Sequence, residues 1–180
     1  MKYLLPDTET ERLKFRVVTQ GDFEDWMPLF EAPNVAKFLG LDESLSQREL
    51  CQKWFDKVFH RYENEQGGMN ALISKETGKM VGQCGILVQA IEGEERLEIG
   101  YSILPEYWGK GFASEAAQKC KEEAFKREFS DRLMSTMHVD NIASELVAKK
   151  NGMSWEKTVD IDAHGAMNVF SISKSEWSKK

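Results

Sequence analysis

Hydrophobic and polar positions repeat regularly along the first third of the chain, and their spacing predicts four elements. Alternation over residues 13–18 predicts a half-buried strand. Closer apolar spacing over residues 19–30 predicts a short helix whose end Pro28 leaves open, and residues 34–43 are predicted to form a loop. The run Ser46-Gln47-Arg48-Glu49 matches a capping box, so a second helix with one apolar side is expected behind it.

The remainder of the chain alternates predicted strands with two further helices. Strands are predicted over residues 69–74, 79–88 and 96–104, a helix over 112–127, a strand over 133–139, a helix from Asp140 or Asn141 to Gly152, and strands over 155–159 and 166–172. No linker, repeat or low-complexity tract interrupts this order. It predicts a single mixed α/β (α+β) domain over residues 1–180, with a mostly antiparallel seven-stranded sheet flanked by about four helices.

Composition and charge narrow the class of protein. The chain has 180 residues, 41% of them hydrophobic and 30% charged, which is typical of a globular domain. A net charge of −6 argues against a nucleic-acid binder. The three cysteines lie far apart without metal-ligand spacing, so neither a disulfide framework nor a metal site is expected. No signal segment or membrane span is evident, and we expect a cytoplasmic protein without membrane partners.

A glycine-bearing loop between a predicted strand and a predicted helix is the candidate phosphate site. The first turn of a helix has free N–H groups and a partial positive charge, which suit an anion. Gly109, Gly111 and Ala113 would let phosphate oxygens approach the backbone, and Lys110 and Ser114 could add a cation and a hydroxyl. A plain glycine-rich turn explains the same loop, because a G-x-G pattern alone is a weak signal.

The two best-known phosphate loops do not match this sequence. The chain has no G-x-x-x-x-G-K-[ST] run, so a P-loop is excluded. The dinucleotide pattern G-x-G-x-x-G would need a third glycine where Ser114 stands, and no repeated βαβ pattern surrounds it. A nucleotide-binding protein that uses this loop for ATP or NAD is therefore the weakest of the functional alternatives.

Two motifs resemble the GNAT superfamily of N-acetyltransferases. The run from Trp108 to Ala113 resembles the acyl-CoA pyrophosphate loop, with Trp108 in place of the usual Arg or Gln and Gly111 as the central glycine. The run Asp140-Asn141-Ile142-Ala143-Ser144, followed by Lys150, Gly152 and Met153, is similar to the Asn-x-Ala-Ser…Lys-x-Gly-Phe segment of one branch. That branch acetylates ribosomal-protein N-termini and includes small-molecule relatives. The resemblance extends over about residues 10–172.

The resemblance implies where acetyl-CoA would bind. Strands 96–104 and 133–139 should run parallel and splay apart, so that pantetheine enters the wedge between them. The residues that the resemblance assigns to the cosubstrate are Ser102, Ile103, Leu104, Trp108, Gly109, Lys110, Gly111, Phe112, Ala113, Ser114 and Asn141. A homodimer is a further expectation by analogy, because relatives often form one.

The implied reaction is direct attack of an amine on the thioester carbonyl. Glu98 is the candidate base, although an exposed strand carboxylate would give the same pattern. A backbone N–H near Ser102 or Ile103 is the expected donor to the carbonyl oxygen. Many relatives protonate the thiolate with a tyrosine, but that position is Ala148 here, and Ser144 is the substitute that the branch suggests. A helix-surface serine is the alternative for Ser144.

The sequence leaves the acceptor open. An α-amine of pKa ~8 costs about 1 kcal/mol to deprotonate at pH 7, and a lysine amine roughly 4–5 kcal/mol, so the acceptor is more easily an α-amine. The acidic cluster at Glu92, Glu94 and Glu95 is either a solvated turn or the rim of a groove for a cationic amine. The histidines, His60, His138 and His164, are expected to be structural or exposed. A silent acyl-CoA-binding regulatory module is the alternative to an active enzyme.

Overall fold

The computed structural model describes residues 2–161 and 165–179, and these form a seven-stranded sheet with helices against both faces. The strands are β1 Leu13–Val17, β2 Gly67–Ser74, β3 Met80–Ile91, β4 Glu94–Ile103, β5 Arg132–His138, β6 Ser154–Ile161 and β7 Gly165–Ser173. The helices are α1 Phe23–Trp26, α2 Val35–Phe38, α3 Gln47–Glu63, α4 Phe112–Lys126, α5 Ile142–Lys150 and α6 Lys174–Trp177.

The sheet order is β1-β2-β3-β4-β5-β7-β6, and each pair of neighbours is antiparallel except β4 and β5, which are parallel. The expected mixed, mostly antiparallel seven-stranded sheet is therefore confirmed. The four expected helices correspond to α1, α3, α4 and α5. Two single-turn helices, α2 and α6, are additional.

The parallel pair is joined over a short length only. The register between β4 and β5 contains Leu97 with Leu133 and Glu98 with Met134, and it stops there. One residue further along β5, the Ser135 hydroxyl donates to the Ile99 carbonyl at 2.8 Å. A side chain thus takes the place of a ladder bond at the point where the strands begin to separate, which confirms the splayed parallel pair.

Alternation along the strands divides the core into two layers. On β2, Leu72 belongs to the layer under α4 and α5, whereas Ala71 belongs to the layer under α1 and α3. α4 packs against β3 and β4 through a stripe of small buried side chains, Ala116, Ala117, Cys120 and Ala124. Small residues allow a close approach between helix and sheet, so α4 begins close to the end of β4.

The segment between the first helices differs from its prediction. The expected loop over residues 34–43 contains α2, whose first residue, Val35, is buried. A single turn is too short to show a helical period in sequence, so tertiary burial decides its conformation. α1 is also short, because the chain continues as a 3-10 turn over Met27–Glu31 with Pro28 near its start. The capping box is confirmed, since the Ser46 N–H donates to Glu49 Oε2 at 2.9 Å.

Candidate active site

Glu98 lies where β4 and β5 separate. Its Oε1 accepts hydrogen bonds from the backbone N–H of Thr136 at 3.1 Å and from the Thr136 hydroxyl at 2.5 Å. Thr136 is two residues beyond the last paired residue of β5, so the carboxylate occupies the widening gap. Its other oxygen, Oε2, has no hydrogen-bond partner within residues 2–161 and 165–179. The candidate base is therefore held in one orientation with one oxygen available.

Burial sets the electrostatics of Glu98. The side chain is 9% exposed, and its pKa is raised because burial disfavours the charged form. The two hydrogen bonds from Thr136 and the charges of Arg61 and Lys57 oppose this rise. A carboxylate with a raised pKa is a stronger base than an exposed one, so the alternative of a plain surface carboxylate is excluded for Glu98.

Glu98 lines a cavity of about 140 Å³. The other lining residues are Phe38, Leu39, Trp54, Lys57, Val58, Arg61, Met69, Leu87, Gln89, Gly100, Tyr101, Ser102, Thr136, Ile161 and Met167. Gly100 helps to keep this space open, because a Cβ there would come within 2.7 Å of Leu87 Cδ1. The segment after the first helix thus contributes Phe38 and Leu39 to the cavity, and the last two strands contribute Ile161 and Met167.

Two cations of α3 line the same cavity. Arg61 donates to the Val88 carbonyl at 2.8 Å and to Gln89 Oε1 at 2.9 Å. Lys57, one turn earlier, is exposed at the cavity, and its pKa is lowered first by the nearby protein atoms, which disfavour the charged form, and then by the charge of Arg61. Periodicity places both residues on a helix but does not predict that they face β4. The acidic cluster at Glu92, Glu94 and Glu95 is exposed at the β3–β4 turn and lines no part of this cavity.

The backbone of β4 presents alternate residues to the wedge. The Leu104 N–H donates to the Val81 carbonyl at 3.0 Å, so the polar backbone groups of Leu104 and Ser102 face β3. Those of Ile103 face the opposite edge, where the Ile103 carbonyl accepts from the Trp108 indole at 2.6 Å. Of Ser102, Ile103 and Leu104, which the resemblance assigns to the cosubstrate, Ile103 therefore has the backbone orientation that suits a ligand in the wedge, and its N–H is the group available.

The start of α4 has the features of an anion site. Gly109 and Gly111 adopt φ of 74° and 82°, a left-handed conformation that favours glycine. Gly111 is the N-cap of α4 and provides no side-chain acceptor, whereas Ser46 caps α3 and Asn141 caps α5 through side-chain oxygens. The first-turn N–H groups of Phe112, Ala113 and Ser114 therefore lack a side-chain cap, and the residues fit a phosphate group of a cosubstrate.

Arg12, which the sequence analysis did not identify, fixes this loop from the other end of the chain. Its guanidinium donates to the Lys110 carbonyl at 2.9 Å, forms an ion pair with Glu115 at 2.6 Å and lies 4.4 Å from the centre of the Phe112 ring. The contacts join residues about 100 positions apart, so no local pattern signals them. Lys110 itself lies over the Tyr107 ring at 5.0 Å.

The first turn of α5 completes the wedge. Asn141 Oδ1 accepts from the Ser144 N–H at 3.2 Å, which leaves the Asn141 amide NH₂ available for a ligand. The Tyr101 hydroxyl, also missed in the sequence, donates to the Ser144 carbonyl at 2.8 Å, and burial raises the pKa of Tyr101. Ser144 is partly exposed, while Ala148, the position of the usual tyrosine, is fully buried.

The other polar residues considered in the sequence lie apart from this site or support it. His60 is exposed on α3, His138 is largely buried with its ring 5.6 Å from that of Phe38, and His164 lies outside the described residues. Cys120 is buried with its Sγ 3.5 Å from that of Cys84. Within residues 2–161 and 165–179 no group of three or more His, Cys, Asp or Glu could hold a metal, and no helix is long and apolar enough to span a membrane.

Comparison with known proteins identifies the family. A model described as an acetyltransferase (GNAT) domain matches residues 12–154. The chain belongs to the GNAT acetyltransferase family. This GNAT chain is also 34% identical over 154 residues to the uncharacterized protein YkkB of Bacillus subtilis, covering 83% of this chain and 86% of that protein. Membership makes the protein an acyltransferase.

Solved structures share the fold. An acetyltransferase from Agrobacterium tumefaciens matches with a TM-score of 0.76 at 23% identity, over 96% of each chain. RimL, a ribosomal-protein alpha-N-acetyltransferase solved with coenzyme A, matches with a TM-score of 0.70 at 18% identity, over 93% of this chain and 97% of that one. The GNAT fold is therefore confirmed, and neighbours with this fold include the branch that the motifs resemble.

Proposed function

We propose that this GNAT chain transfers an acetyl group from acetyl-CoA to a primary amine, either a small-molecule amine or a protein N-terminal α-amine. One arrangement supports the proposal: the gap between β4 and β5 begins beside Glu98, which lines the cavity, and β4 continues from there towards the segment that leads to the uncapped start of α4. A cosubstrate anchored by its phosphates at the helix and extended through the gap would bring its acyl end close to an acceptor beside Glu98.

The cosubstrate would be held by residues at three places. The backbone of residues 109–114 would bind the pyrophosphate, the backbone of Ile103 would bind the pantetheine arm, and the Asn141 amide would donate to the same arm. Acetyl-CoA supplies the activated acyl group when it is bound. The free first-turn N–H groups of α4 and the outward N–H of Ile103 support this arrangement, since the Ile103 carbonyl already accepts from Trp108.

Glu98 would make the acceptor amine nucleophilic. Only the neutral amine can attack, and Oε2 of Glu98 is available to accept its proton directly or through water. The raised pKa of Glu98 brings its basicity closer to that of the amine, which makes the proton transfer easier. An α-amine would need less help than a lysine amine, because its pKa of ~8 is lower than ~10.4.

Ser144 would assist the leaving thiolate. A thiol with a pKa near 8.5 leaves without a strong acid, so a hydroxyl donor is sufficient. The Tyr101 hydroxyl bonded to the Ser144 carbonyl would hold the first turn of α5 in place, and its raised pKa makes it a hydrogen-bond donor rather than a proton source. These roles account for an active site without the usual tyrosine at Ala148.

The first test is calorimetric titration with acetyl-CoA of the wild type and two matched variants. Gly109→Asp places a carboxylate in the phosphate loop, and Gly78→Asp places one in the β2–β3 turn. Both glycines have a left-handed φ, and a Cβ added at either one would meet no atom within 4 Å, so the backbone cost is matched. We expect binding by the wild type and by Gly78→Asp, and at least about tenfold weaker binding by Gly109→Asp because the carboxylate repels phosphate.

Folded wild-type protein that does not bind acetyl-CoA would contradict the proposal. Binding without release of free thiol for any amine would favour the silent regulatory module instead. The single domain over residues 1–180, the cytoplasmic location, the absence of nucleic-acid, membrane and metal partners and the homodimer stay predictions of the sequence.

A further inference from the structure

The cavity beside Glu98 contains more positive charge than its own carboxylate balances. Lys57 and Arg61 both line it, and neither forms a salt bridge with any residue in the described ranges. The hydrogen bonds of Arg61 go to uncharged acceptors: the carbonyls of Gln66 and Val88 and the side chain of Gln89. These use three of its five N–H groups, and the other two have no partner among the described residues.

We propose that the acceptor is a compact primary amine that also carries a carboxylate or a similarly small phosphate group, which Lys57 and Arg61 bind. The proposal rests on the acetyltransferase function and names the class of its substrate. Arg61 is half-buried and Lys57 is exposed at the cavity, and an anionic group on the ligand would pair with two charges that have no counter-ion in the described part of the chain. Arginine offers a planar pair of donors that suits either anion.

The same pairing would position the acceptor. A short molecule whose anionic group is bound by Lys57 and Arg61 would bring its amine close to Oε2 of Glu98, which accepts the proton. A polyamine or a polycationic amino sugar would be repelled by Lys57 and Arg61, which argues against the cationic acceptors that the cluster at Glu92, Glu94 and Glu95 could favour.

The size of the cavity favours a small molecule over a polypeptide. A volume of about 140 Å³ is below the usual range of roughly 300–1,000 Å³ for ligand sites. Phe38 and Leu39 of the α2 segment form part of one wall, and Ile161 and Met167 of the last two strands form part of another. A short apolar group next to the charged end of the acceptor would contact these walls.

The test compares matched amines in a thiol-release assay with saturating acetyl-CoA. Each α-amino acid of a panel is measured beside its amide and beside the amine that lacks the carboxylate, and O-phosphoethanolamine is measured beside ethanolamine. Spermidine and a short neutral peptide complete the panel. We expect kcat/KM to be about 100-fold higher for the anionic member of at least one set, and the two series distinguish carboxylate from phosphate.

Variants of α3 test whether Lys57 produces the preference for anionic acceptors. Lys57→Met should lower kcat/KM for the anionic acceptor by about tenfold or more, mostly through KM, and Lys57→Arg should restore part of it. Lys53→Met, one turn earlier on an exposed position outside the cavity, is the control and should leave both values unchanged. Thermal unfolding of each variant confirms that it is folded.

Two outcomes overturn the proposal. The first is efficient acetylation of spermidine, the peptide or the neutral amines with no advantage for the anionic ones. The second is an anionic preference that Lys57→Met leaves intact. Both leave the acetyltransferase function standing, because thiol is still released. Absence of acetyl-CoA binding or of turnover with every amine removes the function and this inference together.

Discussion

Glu98 combines three conditions that a catalytic base needs. Thr136 fixes one oxygen with two hydrogen bonds, burial raises the pKa, and the second oxygen is available to a ligand in the cavity. The carboxylate is stabilised less by the folded protein than its protonated form is, because its pKa is raised rather than lowered. Burial of Glu98 therefore lowers the stability of the protein at neutral pH.

Glu98→Gln should separate the effect of Glu98 on catalysis from its effect on stability. We expect kcat to fall by about 10²–10³, because a general base is lost. Acidification should lower kcat of the wild type as Glu98 is protonated, through an apparent pKa above the ordinary value of ~4.3. Measured pH–rate profiles should lose this acidic limb in the variant, while Glu95→Gln, an exposed change on the same strand, should retain it.

The same variant should be more stable at neutral pH. A carboxyl group with a raised folded-state pKa contributes stability below its unfolded pKa of ~4.3, and this is lost as the pH rises through the folded value. Thermal unfolding should therefore show a higher Tm for Glu98→Gln at neutral pH and a smaller difference near pH 4. A lower Tm at neutral pH would show that the Thr136 hydrogen bonds outweigh the cost of burial.

Ser144→Ala tests the proposed help to the leaving group. We expect kcat to fall by about 10–100-fold with little change in the KM for acetyl-CoA, because a hydroxyl donor acts on charge that develops during the reaction. Steady-state kinetics on Ser154→Ala, an exposed change at the start of β6, provides the comparison. Unchanged kcat in Ser144→Ala would make Ser144 a helix-surface serine with only its backbone in use.

Among the elements, the loop before α4 depends on a residue outside its own segment. Arg12 contacts the Lys110 carbonyl, Glu115 and the Phe112 ring, so the N-terminal segment fixes the conformation that the two left-handed glycines permit. Because the guanidinium is about half exposed, each contact alone stabilises the fold only slightly. Together, these contacts should affect how well ordered the loop is more than they affect the global stability of the protein.

Arg12→Ala should therefore weaken acetyl-CoA binding more than it weakens folding. We expect about tenfold weaker binding by calorimetry. Without Arg12 the loop would become ordered only when the ligand binds, and this ordering reduces the net binding free energy. The change in Tm should be small, since an exposed ion pair is worth about 0–1 kcal/mol. Lys14→Ala removes a longer, more exposed ion pair with Glu9 and serves as the comparison. Equal binding by both variants would contradict a role for Arg12.

Local sequence patterns predicted the helices and strands better than they predicted the contacts between them. The alternation around Glu98 indicates a strand, and the capping box at Ser46 indicates the start of α3, because both signals depend on adjacent residues. The contact of Lys57 and Arg61 with the Glu98 cavity depends on how α3 lies across β2 to β4, which no short-range spacing encodes. The resemblance predicted a phosphate loop, since its motif is contiguous, and missed Arg12 and Tyr101, since their partners are distant in sequence.

At the scale of the whole molecule, the order of predicted elements was sufficient for the fold class. Strands that are joined partly by short turns and partly by helices predict a mixed sheet. The observed order β1-β2-β3-β4-β5-β7-β6 is that of such a sheet. The parallel β4–β5 pair came from the family resemblance rather than from the pattern. The β4–β5 register stops where the Ser135 and Thr136 side chains bond to β4. Neither the sequence pattern nor the family resemblance predicted this point.

Under the proposed function, the missing cap at Gly111 would make the cosubstrate part of the folded structure. Phosphate oxygens at this helix end would satisfy N–H groups of the kind that Ser46 and Asn141 satisfy in α3 and α5, so the ligand would act as the N-cap of α4. By mass action, a ligand at 100 times its Kd adds about 2.7 kcal/mol to the free energy of unfolding. Because free coenzyme A carries the same phosphates, only the loss of both forms would loosen α4, which would make the lifetime of the protein against proteolysis a readout of the total coenzyme A supply.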